Sequence, residues 1–278
     1  MLIPRTPEMS ITRFQDKGGI VDLGIKGKRV LVTGTGRGLG YAIALTLVEE
    51  GAKVAAISRK RENLDKLMEE IGGTENGHYA IACNLAEEGA PQKILEELND
   101  NFGCIDILVN NLGGTLDIVD PLCSIQDWRD IFRFNLEVAI ELNNLVIPKM
   151  KELGWGRIVN ICSTASMENN GPVTYCTVKA AFLAYTRCMG RVLAKDGIVM
   201  SAVLPGAINT EGGHWEKALK ERPEHVKKYL EERCPLGRFG NSRDIGYMVA
   251  FLSSNLAEFS QGSIIPVDGG QSRHFFSQ

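Results

Sequence analysis

Tyr175 and Lys179 are the residues of this chain best spaced for chemistry. Residues four apart share one helical face, so the ammonium can lie near the phenol. A nearby cation favours the phenolate, lowers the tyrosine pKa from about 10 and makes the side chain a usable acid or base near neutrality. Twelve residues earlier stands Ser163, whose hydroxyl could bond the same reacting oxygen. The pair alone is cheap: with 6 Tyr and 31 Lys+Arg in 278 residues, about 0.7 such spacings arise by chance. A core tyrosine beside a solvated lysine is the plain alternative, so the elements around the pair must decide.

Those elements form a strand, a loop and a helix. Ile158 to Ile161 is a short apolar run that reads as a buried strand, and Ser163 follows where it should end. Glu168, Asn169, Asn170, Gly171 and Pro172 make a polar loop, after which the helix carrying Tyr175 and Lys179 begins.

A second candidate site lies near the other end. Arg29 to Val32 predicts a first strand, followed by Thr33-Gly34-Thr35-Gly36-Arg37-Gly38-Leu39-Gly40 and an apolar helix that closes at Gly51. A strand, a glycine-rich turn and a helix N-terminus make an anion site for a pyrophosphate. Leu39 stands where both G-x-G-x-x-G and the phosphate-loop pattern need glycine, which leaves T-G-x-x-x-G-x-G. A second strand, Lys53 to Ile57, runs into Ser58-Arg59-Lys60-Arg61 before a helix to about Ile71. An acid at that strand end favours NAD, whereas arginine accommodates a 2′-phosphate. Here three cations precede a helix N-terminus that disfavours them, so NADP(H) is expected, with NAD(H) use as the alternative.

The remaining chain repeats the alternation. His78 to Cys83 is a third strand leading to Asn84-Leu85, with a helix from about Glu87 to Phe102. Ile105 to Val109 is a fourth, ending at Asn110-Asn111-Leu112-Gly113-Gly114, whose amides could bind cofactor or pin neighbouring strands. Ser124 and Asp127 resemble a capping box opening a long helix, 125–153. Its apolar residues wrap most of its circumference, so it is expected to pack on the sheet and on another subunit. Asn135 is a polar exception within it. Ile198 to Leu204 is a further strand, closed by Pro205-Gly206 and followed by Ala207-Ile208-Asn209-Thr210. Residues 207–234 predict a lid of two short helices, Ser242 is expected to cap a helix through Leu256, and Ile264 to Val267 is the last strand. The order implies one α/β domain, 27–278, a doubly wound parallel sheet of about seven strands with helices on both faces. Residues 1–26 read as an N-terminal arm.

A net charge of −3 gives no electrostatic case for nucleic acid or an anionic membrane. No apolar run approaches a membrane span, and the N-terminus lacks a signal-peptide core. Seven scattered cysteines without Cys-x-x-Cys argue against a disulfide framework and for a cytoplasmic location. Four histidines show no ligand spacing, so no metal is expected.

With these motifs in order, residues Gly27 to Gly270 resemble the short-chain dehydrogenase/reductase family, whose fold is a single Rossmann-type domain. Thr33-Gly34, Gly38 and Gly40 match its cofactor glycines, with Arg37 and Arg59 where NADP-preferring members carry basic residues. Asn110-Asn111-Leu112-Gly113 matches its Asn-Asn-Ala-Gly segment. Asn135, Ser163, Tyr175 and Lys179 match its catalytic tetrad, and Pro205-Gly206 with Ile208 and Thr210 its nicotinamide loop. The resemblance implies that Tyr175 exchanges a proton with the substrate oxygen and that Lys179 depresses the Tyr175 pKa and holds the nicotinamide ribose. It further implies that Ser163 polarises the carbonyl, that Asn135 holds a relay water, and that a homotetramer or dimer forms through helix 125–153. Leu112 for the usual alanine, Asn84 for the usual aspartate and the short Ser163–Tyr175 spacing depart from the pattern.

The expected function is hydride transfer between NADP(H) and a secondary alcohol or ketone. Glu168, Asn169 and Asn170, with His214 and Trp215 of the lid, suggest a polar, sugar- or polyol-like substrate. Reduction of a 3-oxoacyl thioester is the alternative. Extended relatives, epimerases and dehydratases, would need glycine at Arg37. A cofactor sensor or structural protein would be expected to have lost part of the tetrad.

Overall fold

The computed structural model describes residues 21–274. The expected arm therefore lies outside the described residues as far as residue 20. From there inward the chain already belongs to the domain: Ile25 is buried in the core, and Asn255 N–H donates to the Leu23 carbonyl.

Seven parallel strands form the sheet in the order β3-β2-β1-β4-β5-β6-β9. They are β1 (Arg29–Thr33), β2 (Lys53–Ser58), β3 (Tyr79–Ala82), β4 (Ile107–Asn110), β5 (Gly156–Ile161), β6 (Ile198–Pro205) and β9 (Ile264–Val267). Central strands β4, β5 and β6 are buried along their whole length, as near-continuous apolar runs require when both sheet faces are covered. On one face, α1 (Gly38–Glu49), α2 (Arg61–Ile71) and α9 (Ser242–Leu252) pack Ile43, Leu47, Leu64 and Val249 onto Val30, Val32 and Val54. On the other, α3 (Ala90–Asn101) and α5 (Val138–Leu153) pack Ile94, Leu98, Leu142 and Val146 onto Leu31, Leu108 and Ile158. The strand order reverses between β1 and β4, and a doubly wound sheet opens its ligand crevice at such a point.

The central layer carries a buried polar ladder. Asn110 Nδ2 donates to Asn143 Oδ1 at 3.0 Å and Asn160 Oδ1 at 2.9 Å. Asn160 Nδ2 donates to Thr186 Oγ1, and Asn143 Nδ2 to the Tyr185 hydroxyl. These bonds tie β4 and β5 to α5 and to α6 (Val173–Leu193).

Four details differ from the sequence expectation. The long helix is interrupted: α4 (Ile125–Phe132), opened by the expected Ser124–Asp127 capping box, passes through a π turn at Arg133–Glu137 before α5. Helix α3 starts at Ala90 because Glu87 is spent in a turn with Asn84. Asn241, not Ser242, caps α9, in a reciprocal box with Asp244, and the helix stops at Leu252 before a separate turn at Asn255–Ala257. Arg61 does not join the cationic group at the end of β2; it pairs with Asp65 at 2.8 Å.

Residues 207–234 hold β7 (Ile208–Asn209), α7 (His214–Glu221) and α8 (Pro223–Arg233). Strand β7 pairs with β8 (Gly240–Asn241) in a small separate sheet. Trp215 is the packing centre of the segment, its ring 4.3 Å from Tyr229 and 4.9 Å from Phe239.

Candidate active site

Helix α1 begins at the carboxyl end of β1 with no side-chain cap and no acid in its first turn. Its free N–H groups and positive dipole end therefore face the crevice, a setting that suits a phosphate group. The approach of helix to strand demands glycine: a Cβ on Gly40 would collide with the Gly34 carbonyl. Around this turn lies a cleft of about 620 Å³. It is lined by Gly34, Gly36, Arg37, Gly38, Leu39 and Gly40, by Ser58 and Arg59, by Asn84 and Leu85, by Asn111 and Gly113, and by Tyr175, Lys179 and Thr210.

The same cleft contains residues that the motifs did not mark. Apart from Lys60, one of the cations expected after β2, they include Asn63, Phe134, Cys162 and Glu211. Only the lining of the cleft reveals them, because each belongs to an element whose local pattern is ordinary. Three expected contacts do not line it. Pro205 ends β6, Gly206 donates its N–H to the Val267 carbonyl, and Ile208 is buried in the β7–β8 pair.

The two asparagines after β4 divide the roles left open by the sequence. Asn110 points into the buried ladder. Asn111 pins the turn, its Nδ2 donating to the Thr33 carbonyl at 2.9 Å and the Gly34 carbonyl at 3.2 Å. Asn84 accepts the Ala86 N–H and lines the cleft where the family pattern has aspartate.

Tyr175 and Lys179 rise from the first turns of α6, and Ser163 stands two residues beyond β5. Lys179 is buried, with its Nζ donating to the Ile161 carbonyl at 3.0 Å and lying 5.7 Å from the centre of the Tyr175 ring. Burial lowers its pKa. The expectation that the ammonium depresses the tyrosine is not met in the cofactor-free protein. Tyr175 is pushed up to about 12, because desolvation of the phenolate outweighs the opposing effect of the Ser163 hydroxyl. The lysine is itself desolvated, and one of its three N–H groups is engaged by the Ile161 carbonyl.

Asn135 occupies the π turn, and the turn explains its position. Its Nδ2 donates to the Ile131 carbonyl at 3.0 Å and the Gly114 carbonyl at 2.9 Å, while its Oδ1 accepts the Gly114 N–H at 2.9 Å. The side chain thus brackets the segment after β4. A Cβ on Gly113 would lie 2.7 Å from Asn135 Oδ1 and 2.9 Å from Lys179 Nζ, so both groups converge on one point of the backbone. The site therefore brings Tyr175 and Lys179 to the cleft directly, with the Ser163 hydroxyl bonded to Tyr175 and Asn135 behind them.

The residues fit a dinucleotide. An uncapped helix start faces the pyrophosphate position, Arg37, Arg59 and Lys60 supply cations beside Ser58, and the acid–base group lies along the same cleft. Among the described residues no group of His, Cys, Asp or Glu could hold a metal ion, and no helix is long and apolar enough to cross a membrane.

Comparison with known proteins agrees. The chain is 34% identical over 252 residues to the 3-oxoacyl-acyl-carrier-protein reductase FabG of Aquifex aeolicus, covering 90% of this chain and 99% of that protein. Among solved structures it resembles L-sorbose reductase from Gluconobacter frateurii, complexed with NADPH and L-sorbose, with a TM-score of 0.84 and 25% identity over 92% of this chain and 100% of that one. It also resembles a putative NAD(P)-dependent gluconate 5-dehydrogenase from Beutenbergia cavernae with bound NADP, with a TM-score of 0.81 and 29% identity over 90% and 99% of the two chains. The family model described as short chain dehydrogenase matches residues 28–219, and the chain belongs to that family of oxidoreductases acting on CH–OH and C=O groups.

Proposed function

We propose that the protein interconverts a small, polar secondary alcohol and its ketone, using NADP(H). The observation that carries this reading is the shared cleft: Tyr175 and Lys179 line the same space as the uncapped start of α1 and the cations Arg37, Arg59 and Lys60. The absence of an acid at the end of β2 and the NADPH and NADP of the two structural relatives support the phosphorylated cofactor.

In this mechanism the bound cofactor supplies or accepts the hydride. Tyr175 gives its phenolic proton to the carbonyl oxygen during reduction and takes it back during oxidation. Ser163 donates a hydrogen bond to the same oxygen and holds the carbonyl in line. Lys179, charged and fixed by the Ile161 carbonyl, stabilises the phenolate left after proton transfer. Asn135 keeps Gly114, and with it the cleft wall at Gly113, in place. The lid carries Thr210 and Glu211 into the cleft and covers the substrate. The partly exposed surface of α4 and α5, which includes Phe132, Ile140 and Leu145, is the expected contact of a homo-oligomer.

Reduction of a 3-oxoacyl thioester is the second reading, favoured by the 34% identity to the Aquifex reductase across nearly its full length. Turnover of NADPH and NADH with keto-sugars, simple ketones and acetoacetyl thioesters separates the two. Consumption of NADPH with a keto-sugar, abolished in Tyr175→Phe, is expected. Turnover confined to the thioester would replace the first reading by the second.

A further inference from the structure

A second cavity, of about 400 Å³, borders the loop that joins Ser163 to Tyr175. The loop forms one wall through Glu168 and Asn170. Helix α8 forms the other, and Gln271 of the C-terminal segment closes the end. Among the described residues no aliphatic side chain lines it, which suits a hydroxylated ligand and disfavours an acyl chain.

The walls are tied together. Gln271 accepts the Ala207 N–H at 2.8 Å and donates to the Tyr229 hydroxyl at 2.6 Å, linking the root of the lid to α8. Arg273 donates to the Glu232 carbonyl, and Glu168 accepts the backbone N–H groups of Arg273 and His274. The cavity is thus held by bonds from three separate parts of the chain. The loop that borders it also touches the reacting groups. Asn170 Nδ2 donates to Thr164 Oγ1 beside Ser163, and a Cβ on Gly171 would lie 3.6 Å from the Tyr175 ring.

The charges within it are unevenly matched. Lys228 pairs with Glu232 at 3.7 Å, and Glu168 is taken by the two N–H groups and by His274 at 3.5 Å. The exposed guanidinium of Arg233 makes no hydrogen bond or ion pair among the described residues. A guanidinium left unmatched on a polar cavity wall is a planar, bidentate receptor for a carboxylate. We propose that this cavity is a carboxylate subsite, that Arg233 anchors the acid group of the substrate, and that the substrate class is a keto- or hydroxy-acid of the sugar series. The inference rests on the polar-substrate reading of the function and narrows it.

The test uses two probes that differ only at one end: 5-ketogluconate, and L-sorbose, which carries a hydroxymethyl group in place of the carboxylate. With NADPH, the wild-type protein is expected to favour 5-ketogluconate by about tenfold or more in kcat/KM. In Arg233→Met that preference ratio should fall about tenfold through KM, and Arg233→Lys should restore part of it. A ratio near one in the wild type, or a ratio unchanged in Arg233→Met, overturns the subsite. Turnover of L-sorbose with no turnover of 5-ketogluconate overturns the subsite and leaves the broader function standing. Turnover of acetoacetyl thioesters alone removes both. Binding of D-gluconate, read as a thermal shift, tests the subsite without catalysis: a shift lost in Arg233→Met supports it, and a shift retained there overturns it.

Discussion

Arg37 donates through Nη1 to the carbonyl of Gly212 at 2.9 Å, so the glycine-rich turn before α1 is bonded to the segment that leads into α7. Gly212 in turn donates its N–H to Glu216 at 2.6 Å, near the start of α7. Arg37, proposed above as a cofactor cation, therefore also holds the segment that leads into α7. Arg37→Ala should raise the KM for NADPH by about tenfold or more and the KM for NADH by clearly less, since only NADPH carries the phosphate. It should also speed hydrogen exchange at Gly212 and Glu216. Equal effects on the two cofactors would show that Arg37 serves the lid alone.

Tyr175 offers a titration with a defined sign. Its phenol is pushed up to about 12 by burial, so the folded protein holds this proton more tightly than the unfolded chain, whose tyrosine titrates near 10. The contribution to stability is full below about pH 10 and is lost as pH rises towards 12. In cofactor-free protein labelled at tyrosine Cζ, the resonance missing from Tyr175→Phe should remain that of a phenol at pH 10.5. A phenolate shift there would show that Lys179 controls the group after all. The same variant should lower kcat by about a hundred- to ten-thousand-fold, the span of general acid–base catalysis, while still binding NADPH.

That titration also marks what the sequence conveyed. Strand–turn–helix order, glycine spacing and the capping box at Ser124 were legible because each is a local pattern with a local cause. Spacing placed Tyr175 and Lys179 on one helical face, but it could not weigh desolvation against charge, which depends on how deeply α6 is packed. The π turn at Asn135 was hidden because apolar residues continue on both sides of it and no glycine or proline marks it. The bond partners that stabilise the turn are Ile131, one helical turn before it, and Gly114, in the distant segment after β4. Gln271 went unnoticed for a similar reason: its role arises from Ala207 and Tyr229, which lie far from it in sequence.

Asn135 should matter to folding as much as to catalysis. Replacing it with alanine leaves the Gly114 N–H and carbonyl and the Ile131 carbonyl short of a partner, at a position only 1% exposed. A loss of about 2–4 kcal/mol in denaturant unfolding is expected, from buried groups that each cost about 1–3 kcal/mol when unsatisfied. Gly113→Ala is the companion. Its Cβ would crowd both Asn135 Oδ1 and Lys179 Nζ but removes no hydrogen-bonding group, so activity should fall with a smaller loss of stability. Similar stability losses in both variants would place the effect in the loop after β4 and not at Lys179.

The thiols test the packing around Ser163. Cys104 and Cys188 are exposed, while Cys162, the residue before Ser163, is buried with its thiol pushed up to about 12 by desolvation. Thiolate is the reactive form, and a pKa near 12 leaves roughly one molecule in ten thousand ionised at pH 8. A disulfide reagent at that pH should label Cys104 and Cys188 first and reach Cys162 only after denaturation, as peptide mapping would report. Because neither exposed cysteine lines the cleft, that first labelling should spare turnover. Early labelling of Cys162 with loss of activity would mean that the strand end carrying Ser163 opens to solvent, and the rigid placement of Ser163 against Tyr175 would then have to be abandoned.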